Sequence, residues 1–548
     1  MTAKFILVAT LSLVTSHVAL GQNQALDAAA WREDLRVLAS ELPKRHPDAF
    51  FRLKRTTWDS AVAAIDRRAE TMTRNQALVS LMQLVALVRD GHTSINPLFD
   101  PSLGLHTYPV EFVLFNDGLF IKSAAPAVSS LAGARIRRIG PVRADSAYDR
   151  VASLVGQENE WWARAVAPRY MAFAEVLTGL GLAESNGSVA LELERDGKVQ
   201  RVIVAPGGVY RPAGHNPMAG ADRTGWSDMR AAGDPPRWLS HQGEVYWHEF
   251  DSHDSTLYVS YRGVVNASPS NTDFWRSVFA AADTLSVKQF VVDLRENSGG
   301  NSFYNRQVIR GIVARPRIDQ KGRLFAIIGP QTFSAAMNLA LDLEAWTNVT
   351  FVGAPTGNAS MFFGDHEQLQ LPRSGITVNI STLPWHPDDP RDKRDFLAPA
   401  LYTPMSSTDY RNNVDPAMRA IHSAPNASLR EQLAAAALRG DSTGAARIVA
   451  QAQSDTLFRF RRLESEINAL GYELLNRKQT APALLVFRVG ANAYPRSANT
   501  WDSLAEALIL AGQRDAGIAM YRKALSVDPT WAPSRQALEK LGVHDLQP

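Results

Sequence analysis

The sequence predicts a multidomain α/β protein, and three observations lead to this prediction. The chain has 548 residues, which is more than a single hydrophobic core usually supports. Between residues 243 and 422, apolar runs such as QFVVDL and LFAIIG alternate with helical segments, a pattern typical of a layered α/β core. After residue 422 the apolar spacing becomes wholly helical.

The composition excludes several classes of function. Hydrophobic residues make up 45% of the chain and charged residues 21%, as is ordinary for a globular protein. The formal net charge is only +3, so the basic footprint of a nucleic-acid-binding protein is absent. The sequence has no cysteine, which excludes disulfides, thiolate catalysis and cysteine-ligated zinc.

Residues 1–21 have the features of a secretory signal peptide. Lys4 supplies a positive charge, Phe5 to Val14 forms a short apolar core, and Ala19 to Gly21 offers small residues for cleavage. The alternative, a membrane anchor, needs about 20 apolar residues, whereas polar residues interrupt this stretch. No later stretch is apolar enough to span a bilayer. We therefore expect an exported protein, periplasmic or secreted, with no membrane span after signal cleavage.

The next three segments differ in pattern. Residues 22–102 predict an N-terminal helical domain, because Leu, Val and Met recur at three- and four-residue spacing. Its last helix is expected to stop at Gly91, in the polar turn DGHTS. Residues 103–205 alternate around two Asp-Gly turns, which predicts a small β-rich module. Residues 206–242 are rich in Gly, Pro, Asp and Arg and predict a linker or surface loop.

The C-terminal part predicts a helical linker at residues 423–464 and a helical repeat at residues 465–545. A period of 34 residues relates Leu470 to Leu504 and Pro495 to Pro529. This period is typical of tetratricopeptide repeats, the alternative being an unrelated amphipathic hairpin. Such repeats stack into a concave surface, so the tail is a possible binding site for a protein partner.

The residues suited to chemistry lie where predicted strands of the α/β core end. The strand LFAIIG ends at Gly329 and a helix begins near Ser334, where the helix dipole favours negative charge. Ser334 is therefore either a helix N-cap or a nucleophile. A second strand end, VVDLRENSGGN, carries Gly299 and Gly300, whose backbone amides can approach an anion. No phosphate-binding motif accompanies these glycines, so the anion is more consistent with the oxyanion of an acyl-transfer intermediate.

A serine nucleophile needs a general base. His92 is the candidate because the turn from Asp90 to Ser94 directly follows a helix, where a ring can face a cleft. His366 in FFGDHEQ is the rival. A loop histidine taken alone is more often a solvated surface group.

Four motifs, DGHT, DLRENSGGN, TFSAAMNLA and FVGAPTGN, occur in an order and spacing that resemble the tail-specific (C-terminal processing) serine peptidases. The resemblance covers about residues 26–420. It is closest to the histidine-using branch that includes the tricorn core protease and the interphotoreceptor retinoid-binding protein. It implies a PDZ-like module at residues 103–205 and a crotonase/ClpP-like protease core at residues 243–422.

The resemblance also implies roles for individual residues. Ser334 matches the nucleophile and His92 the general base. Ala335 would supply one oxyanion N–H group, and Gly299 or Gly300 the other. The family's lysine-using branch is contradicted, because FVGAPTG places Pro355 at the position of the lysine.

Two positions depart from the branch that the chain resembles. Gly91 stands where that branch has a serine before the histidine. The late glutamate that completes its site has no counterpart in DDPRDKRDFLAP, where Asp392 or Asp395 would have to orient His92 instead.

The sequence thus predicts an exported serine peptidase that cleaves peptides or unfolded proteins through an acyl-enzyme intermediate, with a Ser-His catalytic pair and no cofactor or metal. One alternative is a non-catalytic ligand- or protein-binding protein on the same fold. Another is a scaffold protein whose helical tail is the main functional unit.

Overall fold

The structure is a computed structural model that describes residues 26–212, 223–423 and 428–543. The predicted signal peptide lies outside these residues. Within them, no helix has both the length and the apolar character needed to cross a membrane.

Three helices open the described chain: α1 (Ala28–Arg45), α2 (Arg55–Arg68) and α3 (Arg74–Ala86). Helix α3 begins with a capping box, in which the side chains of Thr73 and Gln76 satisfy each other's backbone N–H groups. The predicted helix stop at Gly91 is wrong. The helix already ends at Ala86, and the residue with left-handed backbone geometry is Arg89, at φ 58°.

A module of short strands and helices follows. In chain order it contains β1 (Val110–Phe115), β2 (Gly118–Ala124), β3 (Arg135–Ile139), β4 (Val142–Arg143), α4 (Ala144–Ala152), α5 (Glu160–Tyr170), α6 (Ala174–Gly179), β5 (Val189–Arg195), β6 (Lys198–Val204) and β7 (Ser227–Asp228). The antiparallel sheet has the order β1-β2-β3-β5-β6, with β4 paired to β3 and β7 to β2. Gly118 at φ 137° lets the chain reverse tightly between β1 and β2.

One hydrophobic core joins the N-terminal helices to this module. Leu38 of α1, Leu81 of α3, Ile121 of β2 and Leu191 of β5 are all fully buried members of the same cluster. The core therefore extends across the sequence boundary between residues 102 and 103.

The α/β core comes next. It contains β8 (Tyr246–Asp251), β9 (Thr256–Tyr261), α7 (Asn271–Thr284), β10 (Gln289–Asp293), α8 (Asn305–Val313), β11 (Leu324–Ile328), α9 (Ala335–Trp346), β12 (Thr350–Gly353), β13 (Phe362–Gln370), β14 (Thr377–Trp385) and β15 (Leu401–Tyr402). Six strands form one sheet in the order β15-β12-β11-β10-β9-β8, parallel except for the edge strand β8. Every residue of β9 and β11 is buried, as continuous apolar runs predict for a sheet covered on both faces. Because parallel strands end at the same edge, the loops after β10 and β11 lie side by side.

The strands β13 and β14 form a separate antiparallel hairpin. Val378 and Ile380 of this hairpin are buried in the core of the N-terminal region. Asn379 exchanges two backbone hydrogen bonds with Ser94, at 3.0 and 2.9 Å. The hairpin thus connects the turn at residues 90–94 to the α/β core.

The rest of the described chain is helical: α10 (Ser407–Arg411), α11 (Pro416–Ser423), α12 (Leu429–Leu438), α13 (Ser442–Ser454), α14 (Leu463–Asn476), α15 (Thr480–Ala493), α16 (Ala498–Leu510), α17 (Arg514–Val527) and α18 (Ala532–Lys540). The Tyr472 hydroxyl of α14 donates to Glu506 of α16, 34 residues further along. The tail contacts the body of the protein through Phe460, whose ring meets Trp161 and Tyr402 edge-on. The predicted multidomain α/β architecture is confirmed in this coarse form.

Candidate active site

Ser334 lies in the turn between β11 and α9. Its backbone has φ 54° and ψ −126°, a conformation that L-residues rarely adopt and that costs about 1–3 kcal/mol. Its side chain makes no capping hydrogen bond to α9, so the N-cap interpretation does not account for this serine. A strained serine at a strand-to-helix turn, with its hydroxyl free of the helix, is an arrangement suited to a nucleophile.

The loop after β10 lies directly against this serine. A Cβ atom added to Gly299 would come within 2.6 Å of the Ser334 Cβ, so only glycine fits. The N–H of Gly299 donates to the Asn297 side chain at 2.9 Å, and its carbonyl accepts from the Val264 N–H at 2.9 Å. Across the same trans peptide, the N–H of Gly300 points away from Val264.

Two backbone N–H groups near Ser334 are available to an incoming anion. The N–H of Gly300 has no acceptor among the described residues. Ala335 is the first residue of α9, so its N–H has no partner within the helix. Of the two glycines predicted from the sequence, Gly300 therefore has the N–H group that an oxyanion could use.

The ring of His92 lies between two aromatic rings. Its centroid is 4.6 Å from that of Phe333 and 5.8 Å from that of Phe362. The opposite face of Phe333 stacks on Trp162 at 3.8 Å. Because Phe333 immediately precedes Ser334, this packing places His92 next to the turn that carries the serine.

One nitrogen of the His92 ring has no hydrogen-bond partner among the described residues. Its backbone N–H donates to Asp90 at 3.0 Å, but its Nδ1 is buried without a hydrogen-bond partner among the described residues. No hydrogen bond links its ring to Ser334 in the described part of the chain. Burial lowers the pKa of His92, and the Asp90 carboxylate only partly opposes this effect. A neutral imidazole near pH 7 is the form that can accept a proton.

Asp90 fixes the turn that carries His92. Its buried carboxylate accepts hydrogen bonds from Thr93 at 2.5 Å, from Ser381 of β14 at 2.6 Å and from His46 at 3.1 Å. Burial alone would raise the pKa of Asp90, but these donors and the nearby His92 outweigh it and lower the pKa. Asp90 is thus an ionised anchor between the turn, the hairpin and the end of α1.

Gly91 has a packing role that the sequence did not reveal. A Cβ atom at this position would lie 2.6 Å from the ring of Phe333 and 3.2 Å from the Glu158 carboxylate. A serine there, as in the peptidase branch that the sequence resembles, would collide with that ring.

The structure does not bring the predicted acid to His92. The Asp392 carboxylate pairs with Arg394 at 2.8 Å. Asp395 offers its main-chain oxygen to the side chain of Asn159. The rival base His366 is exposed on β13.

Sequence reasoning missed Phe333, Asp90 and Asn358 as parts of this site. The side-chain oxygen of Asn358 accepts the backbone N–H of Ser334. All three lie inside the motifs TFSAAMNLA, DGHT and FVGAPTGN, so their position next to the key residues was the available signal.

A cleft of about 830 Å³ lies between α8, α9 and the end of β14, and neither Ser334 nor His92 is among the residues that line it. Asn338, one helical turn after Ser334, lines it at one side, and Trp385 lines it at another. Trp385 stacks in turn on Phe362, with centroids 6.5 Å apart, so the cleft adjoins the aromatic packing around His92. The described residues contain no cluster of three or more His, Asp or Glu side chains that could hold a metal ion.

Neither a protein-family model nor a curated protein matches the sequence. Among solved structures, the chain is similar to mature CPAF complexed with lactacystin, with a TM-score of 0.50, 12% identity, and coverage of 72% of this chain and 97% of that one. Another structure of mature CPAF gives a TM-score of 0.47 at 12% identity, covering 78% of this chain and 99% of that one. For a photosystem II C-terminal processing protease the TM-score is 0.34 at 12% identity, with 72% and 96% covered. The likeness to the first of these structures shows that the chain has the fold of mature CPAF.

Proposed function

We propose that this chain is a serine peptidase that hydrolyses peptide bonds through an acyl-enzyme intermediate, with Ser334 as nucleophile and His92 as general base. The observation that carries the proposal is the strained backbone of Ser334 directly against the Gly299-Gly300 loop. The unpaired N–H groups beside it and the buried, neutral His92 add to the same conclusion. The shared fold with a protease supports the reaction class.

The chemistry follows from these positions. His92 takes the proton of the Ser334 hydroxyl as that oxygen attacks the carbonyl carbon of the substrate. The carbonyl oxygen becomes an oxyanion, which the N–H groups of Gly300 and Ala335 stabilise by roughly 3–4 kcal/mol each. When the C–N bond breaks, His92 returns its proton to the leaving amine.

Deacylation repeats the same steps with water. His92 deprotonates a water molecule, which attacks the acyl carbon, and the ester oxygen leaves as the Ser334 hydroxyl with the proton from His92. The hydrogen bond between Ser334 and His92 is expected to form when substrate occupies the site, since such bonds are often long in a free enzyme.

The cleft between α8 and α9, which reaches the helix that follows Ser334 at Asn338, is a candidate binding site for part of the substrate. It is about 830 Å³ and combines apolar side chains such as Ile309 and Trp385 with polar ones such as Asn338. We propose that it takes a peptide or an unfolded protein segment. We propose that the predicted signal peptide directs the enzyme out of the cytoplasm and that the helical tail binds a protein partner.

A fluorophosphonate probe tests the proposal directly, because it reacts covalently with an activated serine. The wild-type chain should be labelled, and Ser334→Ala and His92→Ala should not. Ser298→Ala is the matched control, since Ser298 is half-buried next to Gly299 and has no assigned role. Labelling that persists in Ser334→Ala would refute the assignment. Lactacystin, which forms a complex with mature CPAF, is a useful second probe.

A non-catalytic binding protein is the alternative that this experiment separates. If the folded wild-type chain neither reacts with the probe nor cleaves an unfolded protein, the fold serves binding instead.

A further inference from the structure

The turn that carries His92 and the turn that carries Ser334 are joined by two buried side chains. One carboxylate oxygen of Glu158, Oε1, accepts the backbone N–H of Gly91 at 3.1 Å. The other, Oε2, accepts the Nδ2–H of Asn358 at 3.1 Å. The Oδ1 of Asn358 in turn accepts the backbone N–H of Ser334. Three hydrogen bonds thus connect Gly91 to Ser334.

In this series of hydrogen bonds, the side-chain amide of Asn358 has only one orientation that satisfies both of its neighbours. The Asn358 amide must direct its NH₂ group to the carboxylate and its oxygen to the N–H of Ser334, because the reverse would face donor with donor. Glu158 is fully buried at 0% exposure, as is Asn358, so water does not replace either contact. A buried N–H group left without its acceptor is destabilising, because it loses a hydrogen bond that water cannot replace.

The loop that carries Asn358 is held on both sides. The Gly357 N–H donates to the carbonyl of Thr332 at 3.2 Å, just before Ser334. The Gly357 carbonyl accepts from the side chain of Asn159 at 3.1 Å. Asn358 is therefore a fixed link rather than an adjustable one.

We propose that Glu158 is a positioning residue for the reaction: through Asn358, its carboxylate holds the strained turn of Ser334 in place relative to the turn of His92. This inference rests on the proposed function. Glu158 does not touch the reacting atoms. Its two carboxylate oxygens accept one N–H group each. An ionised carboxylate has no donor, whereas a protonated carboxyl group or an amide would turn a donor toward one of these N–H groups.

The charge state of Glu158 connects this role to pH. Burial raises the pKa of Glu158 to about 7, and the nearby Asp90 carboxylate adds to the increase. The other charged groups around it are Arg52, which opposes the increase, and Arg89, whose guanidinium donates to the Glu158 main-chain oxygen. The link should therefore weaken as the pH falls through about 7.

A swap of two side chains tests the proposal. Glu158→Gln keeps the shape of the side chain, but its NH₂ group must then face either the N–H of Gly91 or the NH₂ group of Asn358, both of which are donors. We expect the rate of fluorophosphonate labelling to fall by roughly 10- to 100-fold, because misplacing a reacting group by about 1 Å costs that much. Asn358→Asp alone sets two carboxylates against each other and should also be slow. The double variant Glu158→Gln/Asn358→Asp restores every donor–acceptor pair and should recover to within about fivefold of the wild-type rate.

The pH profile provides a readout that a merely structural role would not change. In the wild type the labelling rate should rise with pH through both His92 and Glu158. In Glu158→Gln only the His92 step remains, so the midpoint should move to lower pH. Glu160→Gln, an exposed residue of the same segment, is the matched control and should leave both the rate and the profile unchanged.

The outcomes are distinct. If the wild type is not labelled, the proposed function fails. If the wild type is labelled but Glu158→Gln reacts at the same rate with the same profile, only the positioning role fails. If circular dichroism shows that Glu158→Gln does not fold, the double variant decides. A labelling rate of the double variant no higher than that of Asn358→Asp would overturn the proposal.

Discussion

Replacing Phe333 with leucine separates packing from chemistry at this site. The ring of Phe333 contacts Trp162 on one face and His92 on the other, at centroid distances of 3.8 and 4.6 Å. Leucine retains most of the apolar volume but loses both ring contacts. At about 0.5–1.5 kcal/mol for each aromatic pair, the free energy of unfolding should fall by roughly 1–3 kcal/mol.

The kinetic effect of the same change should exceed the effect on stability. Phe333→Leu lets water reach the His92 ring, so burial depresses its pKa less and the value rises toward about 6.5. Protonated His92 cannot accept the serine proton, so the low-pH limb of the labelling profile should move to higher pH. At neutral pH the rate should also fall by roughly 10-fold or more, because the ring is less well oriented.

The assay is fluorophosphonate labelling between pH 5 and 9, with denaturant unfolding followed in parallel. Phe279→Leu is the control, since that buried ring also contacts two aromatic rings but belongs to α7. It should lose similar stability and keep the wild-type profile. If Phe333→Leu is destabilised but is labelled at the wild-type rate, with the midpoint of its pH profile unchanged, Phe333 does not orient His92 and the reasoning is refuted.

Three further predictions concern single side chains. Gly91→Ser should lower both stability and labelling, because its Cβ would lie 2.6 Å from the neighbouring aromatic ring; an active variant would show that this ring can move. Gly299→Ala should reduce labelling by roughly 100-fold, because its Cβ would collide with Ser334. Gly322→Ala is the control, since Gly322 is also left-handed, at φ 79°, but has no atom within 4 Å of an added Cβ. Equal labelling rates of the two variants would contradict the close approach of Gly299 to Ser334. Asp392→Asn should change the labelling rate by less than about twofold, since its partner is Arg394 and such pairs contribute little; a large loss would restore the sequence-based role of this acid.

Local patterns in the sequence predicted the elements of the core but not how the site is assembled. The runs around β10 and β11 were readable because strands buried on both faces must be continuously apolar. The place of Ser334 and of the Gly-Gly pair at strand ends followed from the same pattern. The helix end was misplaced because a glycine is the usual left-handed residue after a helix, whereas here Arg89, two residues before Gly91, adopts that conformation.

The contacts between distant segments could not be read from the sequence. The anchor of the His92 turn depends on Ser381, which is 291 residues away from Asp90. The link to Ser334 depends on Glu158, which belongs to the predicted β-rich module and carries no motif. Such contacts are set by the packing of whole elements, which periodicity does not encode.

These contacts bear on how the proposed site would orient His92 without an acid on its ring. A carboxylate partner usually both orients a catalytic imidazole and stabilises its charged form. Here Phe333 and Phe362 fix the plane of the ring, while Asp90 holds the backbone of the turn. Orientation is therefore supplied by packing. The buried Nδ1 has no acceptor among the described residues, and the backbone of Phe363 only partly opposes the effect of burial on the His92 pKa. It follows that His92 is a weaker base and a stronger acid than in a site with such a partner, which favours protonation of the leaving amine over deprotonation of the serine. Formation of the acyl-enzyme should then respond to Asp90 through its charge. Asp90→Asn should lower the His92 pKa further and move the low-pH limb of the labelling profile to lower pH. Labelling should be slowed most at high pH, where His92 is neutral in both proteins but is the weaker base in the variant.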